Sequence, residues 1–137
     1  MKLFALLVAI ALSAAAHDGH GKQHAPASAK ALKSPLTAAQ SKPELAKPLY
    51  EKSCASCHGS DGMAKTSAAE AMKPHPADLT EHKMDSMKDG EIYWVITNGI
   101  AKVMPALKTQ LTDIERWQLT AYVRYLRSLH KTPAHKH

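Results

Sequence analysis

Apolar residues at Ile114, Trp117, Ala121, Tyr122, Tyr125, Leu126 and Leu129 recur by threes and fours, with Arg116, Thr120, Arg124 and Arg127 between them. This period lays one apolar stripe along a helix of about four or five turns. Thr112-Asp113-Ile114-Glu115 opens it as a capping box, and Pro133 lies beyond its end. A second helix is predicted from about Pro48 to Ala55, with Pro48 in the first turn, where a missing N–H costs nothing. Extending it back through Glu44 would bury the proline inside the helix. Ser67-Ala68-Ala69-Glu70 reads as the cap of a short helix ending before Pro74. Between Glu91 and Met104 the pattern is ambiguous. Ile92 to Thr97, Asn98-Gly99 and Ile100 to Met104 fit either a hairpin with an Asn-Gly turn or a helix closed by Gly99. Two isolated strands are marginal and no third is evident, so the helix is favoured slightly.

The ends of the chain follow other rules. In residues 1–16 only Lys2 and Ser13 are not apolar, and the run closes on Ala14-Ala15-Ala16. A charged start, a short apolar middle and a small-residue end describe a cleavable export signal, with His17 as the mature N-terminus. The run falls short of the about 20 apolar residues a membrane span needs. From 17 to 42 the only apolar residues larger than Ala are Leu32 and Leu36, among Ala, Lys, His, Ser and Pro. Such a stretch cannot offset its ordering entropy by burial and is read as a flexible arm. Residues 132–137 read as a disordered tail, which leaves 43–131 as the one folded domain.

This division changes the meaning of the charge. The chain has a formal net charge of +6, but residues 43–131 hold 12 basic and 11 acidic side chains, a net of +1. Basicity belongs to the flexible ends. A nucleic-acid partner would call for a basic stripe on a folded face, so none is expected. The arm is more simply a soluble spacer than a weak contact with an anionic membrane surface. His17, His20 and His24 at one end, and His130, His135 and His137 at the other, are read as solvated rather than as a preorganised metal site.

The chemistry sits in five residues. The only cysteines are Cys54 and Cys57, and Cys54-Ala55-Ser56-Cys57-His58 has the attachment pattern of a c-type haem. Two thiols one helical turn apart can form thioethers with the two porphyrin vinyl groups. The following His58 is then held beneath the iron as proximal ligand. Three other readings are weaker. A thioredoxin-like motif needs a strand before the cysteines. A disulfide across two intervening residues closes too small a loop to stabilise much. A tetrahedral zinc site needs two further ligands at suitable spacing.

Residues Leu49 to Leu129 resemble a monohaem class I cytochrome c. The likeness rests on Leu49-Tyr50-Glu51 leading into the haem motif and Gly59, then Asp61-Gly62, Pro76-Ala77-Asp78-Leu79, Gly90-Glu91-Ile92, Asn98-Gly99-Ile100, Met104-Pro105-Ala106 and Tyr122-Val123-Arg124-Tyr125-Leu126. The resemblance implies an all-α cytochrome c fold, a few short helices wrapped around one covalently bound haem c, with the first and last helices crossing. It also implies that Glu91 to Thr97 is helix.

The resemblance makes Met104 the distal ligand of the iron. Pro105 restricts Met104 to extended conformations, which suits presentation of the thioether inward. A thioether favours Fe(II) and raises the potential relative to a second His. Met63, Met72, Met84 and Met87 are rivals, and His75 or His82 would make a bis-His site. The resemblance also gives His58 a proline carbonyl as its orienting acceptor, for which Pro74 and Pro76 are candidates. Tyr50, Trp94, Trp117 and Tyr122 border the haem or pack the helix crossing. Ala55, Ile100 and Val103 would form an apolar docking rim, with Lys65 and Lys102 around it.

The expected function is a monomeric periplasmic one-electron carrier that changes no substrate. It would pass electrons between a donor and an acceptor, such as a dehydrogenase or a membrane respiratory complex. The alternatives are a haem subunit of a larger dehydrogenase or oxidase, a haem enzyme or gas sensor with an open iron position, and a haem-free thiol-disulfide protein.

Overall fold

The computed structural model describes residues 25–131. The residues read as an export signal, the beginning of the segment read as an arm and the segment 132–137 read as a tail lie outside the described residues. Five helices follow in order: α1 Pro43–Ser53, α2 Ala55–His58, α3 Ser67–Ala71, α4 Asp89–Asn98 and α5 Asp113–Leu129. Two 3-10 turns, Ala27–Ala31 and His82–Asp85, complete the regular structure. Among the described residues there is no strand, and β pairing is limited to one antiparallel bridge between Ile100 and Met104.

Helix α5 begins as its capping box dictates. Thr112 Oγ1 accepts the Glu115 N–H at 3.3 Å, and Glu115 Oε2 accepts the Thr112 N–H at 2.7 Å. Trp117, Leu119, Tyr122, Val123 and Leu126 are buried, a wider stripe than the periodicity of single positions suggests. The width has a cause: α5 packs against both α1 and α4. The α1–α5 crossing is the most extensive contact between elements. Ala46 and Tyr50 are buried on the α1 side, and the ring centroids of Tyr50 and Tyr122 lie 4.9 Å apart.

Helix α1 departs from expectation. It starts at Pro43, not Pro48, and Pro48 sits in its interior. A proline there removes the bond to the Glu44 carbonyl. Both Glu44 and Pro48 are exposed, so water can satisfy that carbonyl, while Ala46 and Tyr50 on the buried face anchor the turn. Packing outweighs the local penalty. The cap of α3 is Thr66 rather than Ser67, its hydroxyl accepting the Ala69 N–H at 3.0 Å. Helix α4 settles the ambiguous segment as helix, ending at Gly99 in the left-handed region with φ of 68°.

Part of the segment read as a soft arm is ordered. Residues Ala27–Ala31 form a 3-10 turn packed on α4, with Ala29 buried. Composition concealed this because the docking uses backbone and small side chains instead of large apolar ones. Gly90 makes the seat: a Cβ there would lie 2.0 Å from the Ala29 carbonyl oxygen and 2.8 Å from Leu32 Cβ. Gly90→Val is therefore expected to lift this turn from the domain, seen as faster tryptic cleavage at Lys30 and Lys33. Unchanged cleavage would mean that α4 shifts instead.

Two arginines of α5 fasten the start of α4 and the segment before it. Arg124 donates to Asp89 Oδ1 at 2.7 Å and to the Met84 carbonyl at 2.6 Å. Arg127, largely buried, grips both carboxylate oxygens of Asp85 at 2.9 and 3.2 Å. Its hydrogen bonds hold the Asp85 carboxyl below the usual range.

Candidate functional site

The attachment motif lies where α1 stops. Helix α1 ends at Ser53, Cys54 breaks the helical path with φ of −128°, and α2 adds one turn from Ala55 to His58. The Cys57 and His58 N–H groups both donate to the Cys54 carbonyl, at 3.2 and 2.9 Å. The two thiols are thus one tight turn apart, both half-buried and both free of a disulfide. Burial pushes the Cys54 thiol up to about 11, with the neighbouring Cys57 adding to the rise.

His58 is oriented by a single backbone acceptor. Its Nδ1 lies 2.9 Å from the Ala77 carbonyl oxygen. A carbonyl only accepts, so Nδ1 carries the proton and Nε2 keeps its lone pair for a metal. Burial lowers the His58 pKa, which preserves that neutral form. The expected acceptor was Pro74 or Pro76, and the structure supplies neither. The loop that carries Ala77 is pinned two residues further on, where Leu79 N–H donates to Gly62 O at 2.8 Å. Asp78 Oδ1 accepts both the N–H and the hydroxyl of Thr80. Backbone carbonyls are identical in sequence, so no residue type could have marked Ala77.

Met104 closes a small loop. Ile100 N–H donates to the Met104 carbonyl and Met104 N–H to the Ile100 carbonyl, both at 2.8 Å. The chain then returns to the last turn of α4 through Leu107 N–H to Ile96 O at 3.2 Å and Lys108 N–H to Thr97 O at 3.1 Å. Met104 is half-buried and packs on the same core cluster that receives Cys54 and Ala55. The structure therefore brings the attachment segment and the Met104 loop onto one apolar core.

Of the rival ligands, Met84 is buried in the core, and Met87 packs against it as Met104 does. Met63 and Met72 are half-buried in loops. His82 is exposed, and His75, also exposed, faces Pro76 O at 2.9 Å and Glu70 at 3.8 Å. Of the aromatic candidates, Tyr50 and Tyr122 pack the crossing and Trp117 stacks on Tyr93, ring centroids 4.1 Å apart. Trp94 is half-buried. Ala55, Ile100 and Val103 are half-buried, and Lys65 and Lys102 are exposed.

This donor set suits an iron porphyrin. Two unoxidised thiols one turn apart, an imidazole with its outer nitrogen already committed, and a thioether on the same core are what covalent attachment and axial ligation require. Among the described residues no group of three or more His, Cys, Asp or Glu side chains is placed to hold a bare metal ion. No helix of the described residues is long and apolar enough to cross a membrane.

Comparison with known proteins agrees with the geometry. A family model described as cytochrome c oxidase, cbb3-type, subunit III matches residues 41–123. A solved structure described as KustC0563 c-type cytochrome aligns with a TM-score of 0.52 and 26% sequence identity, over 63% of this chain and 98% of that one. No curated protein matches. The haem motif, the all-α fold and a family match over more than half of the chain lead to one conclusion: the chain belongs to the cytochrome c family of cbb3-type oxidase subunit III and carries a covalently bound haem c.

Proposed function

We propose that this protein is a periplasmic one-electron carrier whose haem is attached through Cys54 and Cys57 and ligated by His58 and Met104. The family establishes haem-based electron transfer. The finer reading is supported by the contact of Cys54 and Met104 with a single apolar core, as the two faces of one porphyrin demand, and, for Met104 over Met87, which shares that core, by the Met104-Pro105 motif of the resemblance. His58, fixed through Nδ1, would present Nε2 to the iron. Met104 would present sulfur from a loop tied at both ends. Two fixed axial ligands leave little to rearrange between oxidation states, which keeps transfer fast. The export signal at residues 1–16 puts the work outside the cytoplasmic membrane.

The redox partners would be a donor and an acceptor that dock briefly, among them a dehydrogenase or a membrane respiratory complex. The family description favours a second reading, a haem subunit held within an oxidase. Co-purification with a stable partner at high salt would select it.

The test is the visible spectrum of exported protein. Wild type is expected to show a sulfur-to-iron absorption when oxidised and to resist CO when reduced. Met104→Ala should lose that absorption and bind CO. A wild type that binds CO readily would put an open iron position, and with it a sensor or enzyme, in place of the carrier.

A further inference from the structure

Tyr50 is fully buried, yet its place in the α1–α5 crossing needs only an apolar ring. Its hydroxyl must therefore be accounted for, because a buried O–H without a partner is costly. It donates to the Gly59 carbonyl oxygen at 2.8 Å. Gly59 is the residue after His58, so this bond reaches across the whole attachment motif. It closes a loop that runs from Tyr50 through Cys54, Cys57 and His58 and back to Tyr50.

The rest of that loop is tied with equal care. Gly59 N–H donates to the Ala55 carbonyl at 2.8 Å, and Ala64 N–H to the His58 carbonyl at 2.7 Å. Gly59 stands at φ of 77°, and a Cβ there would lie 2.7 Å from Asp61 Oδ1. A left-handed residue at this point turns the carbonyl, which also accepts the Gly62 N–H at 3.0 Å, toward α1. On its ring side His58 is held by Ala77.

We infer that Tyr50 is a positioning residue for the proximal ligand: its hydroxyl, acting through Gly59, fixes the backbone of His58 and so the set of its imidazole on the haem iron. The inference rests on His58 being that ligand. It ties the crossing of the first and last helices directly to the iron, since Tyr122 of α5 holds the Tyr50 ring in place. Packing and ligand orientation then share one side chain.

The test compares Tyr50→Phe with Tyr122→Phe in the haem-loaded protein. Each removes one hydroxyl from the same pair of rings, but only the first removes the bond to Gly59. Proton NMR of the oxidised protein reads the imidazole set through the hyperfine-shifted haem methyl resonances. Tyr50→Phe is expected to change their spread and order and to move the reduction equilibrium toward the reduced form by about fivefold, the scale of one neutral hydrogen bond. Tyr122→Phe should leave both near wild type. Equal effects of the two variants, or none, would overturn the role of Tyr50 while leaving His58 as ligand. A wild-type spectrum without hyperfine-shifted imidazole resonances would remove His58 and Tyr50 together. If Tyr50→Phe does not accumulate, the wild type decides: a slowly exchanging Tyr50 hydroxyl proton close to Gly59 supports the inference, and its absence refutes it.

Discussion

Exported protein with Cys54→Ser and Cys57→Ser combined is expected to retain no haem after acid-acetone extraction, while wild type keeps all of it. These are the chain's only two cysteines, so no other thiol can form a thioether. Both stand free and half-buried in the turn that ends in His58. Serine keeps the shape of the turn but offers no sulfur. With the proposed ligands His58 and Met104 in place some coloured protein would still form, yet haem held only in that way is exchangeable. The loss also reaches stability. Cys54 and Ala55 pack on the core, whose aromatic stock is small, and a tethered porphyrin adds apolar surface to it. The variant should therefore melt well below wild type even before extraction. Haem that survives extraction in the double variant would show attachment elsewhere.

The largest expected loss of stability from one added methyl group falls at Gly99. It ends α4 at φ of 68°, and a Cβ there would lie 2.4 Å from the Met104 carbonyl oxygen and 2.7 Å from the Ala106 nitrogen. Both neighbours are backbone, so no side chain can swing away. Gly99→Ala combines a left-handed conformation with overpacking, and should cost about 3 kcal/mol in denaturant unfolding. Gly62 provides the comparison. Its φ is 82°, but its nearest contacts are side-chain carbons at 3.2 to 3.5 Å, on Leu126, Thr80 and Leu79. Gly62→Ala should cost about half as much, since those side chains can give way. Because the Ile100 to Met104 loop must move to admit Cβ at 99, the same variant should weaken the sulfur-to-iron absorption. Equal losses at the two positions would mean that the Met104 loop yields freely.

Other consequences of the fold are local. The arginine grip on Asp85 and Asp89 holds the segment around Met84 and Met87 against α5. Those methionines are thereby core filler, which agrees with the softness and adaptability of thioether side chains. The ordered turn on Gly90 fixes Ala27–Ala31 against α4.

Much of the chemistry was legible residue by residue. Cys54, Cys57 and His58 announce haem attachment because covalent geometry requires two thiols and an imidazole at that spacing, whatever surrounds them. Thr112 and Glu115 announce the start of α5 because a capping box is satisfied within four residues. Local rules misled where packing decides. Pro48 lies inside α1 because Ala46 and Tyr50 are held by α5, a distant partner that no window around Pro48 contains. For Glu91 to Thr97 local rules only slightly favoured the helix that is found, because the neighbours that decide it, α5 and a docked turn rather than a third strand, lie far along the chain.

By itself, then, the order of amino acids determined what depends on neighbours along the chain: the haem motif, the cap of α5, the period of its apolar stripe and the charge of the ends. Tertiary structure alone decided which carbonyl orients His58, that Tyr50 spends its hydroxyl on Gly59, and that Gly90 seats an arm poor in large apolar residues. The reason is physical. Side chains carry identity, but backbone carbonyls and the space left by a missing Cβ look alike everywhere until folding brings a partner to them.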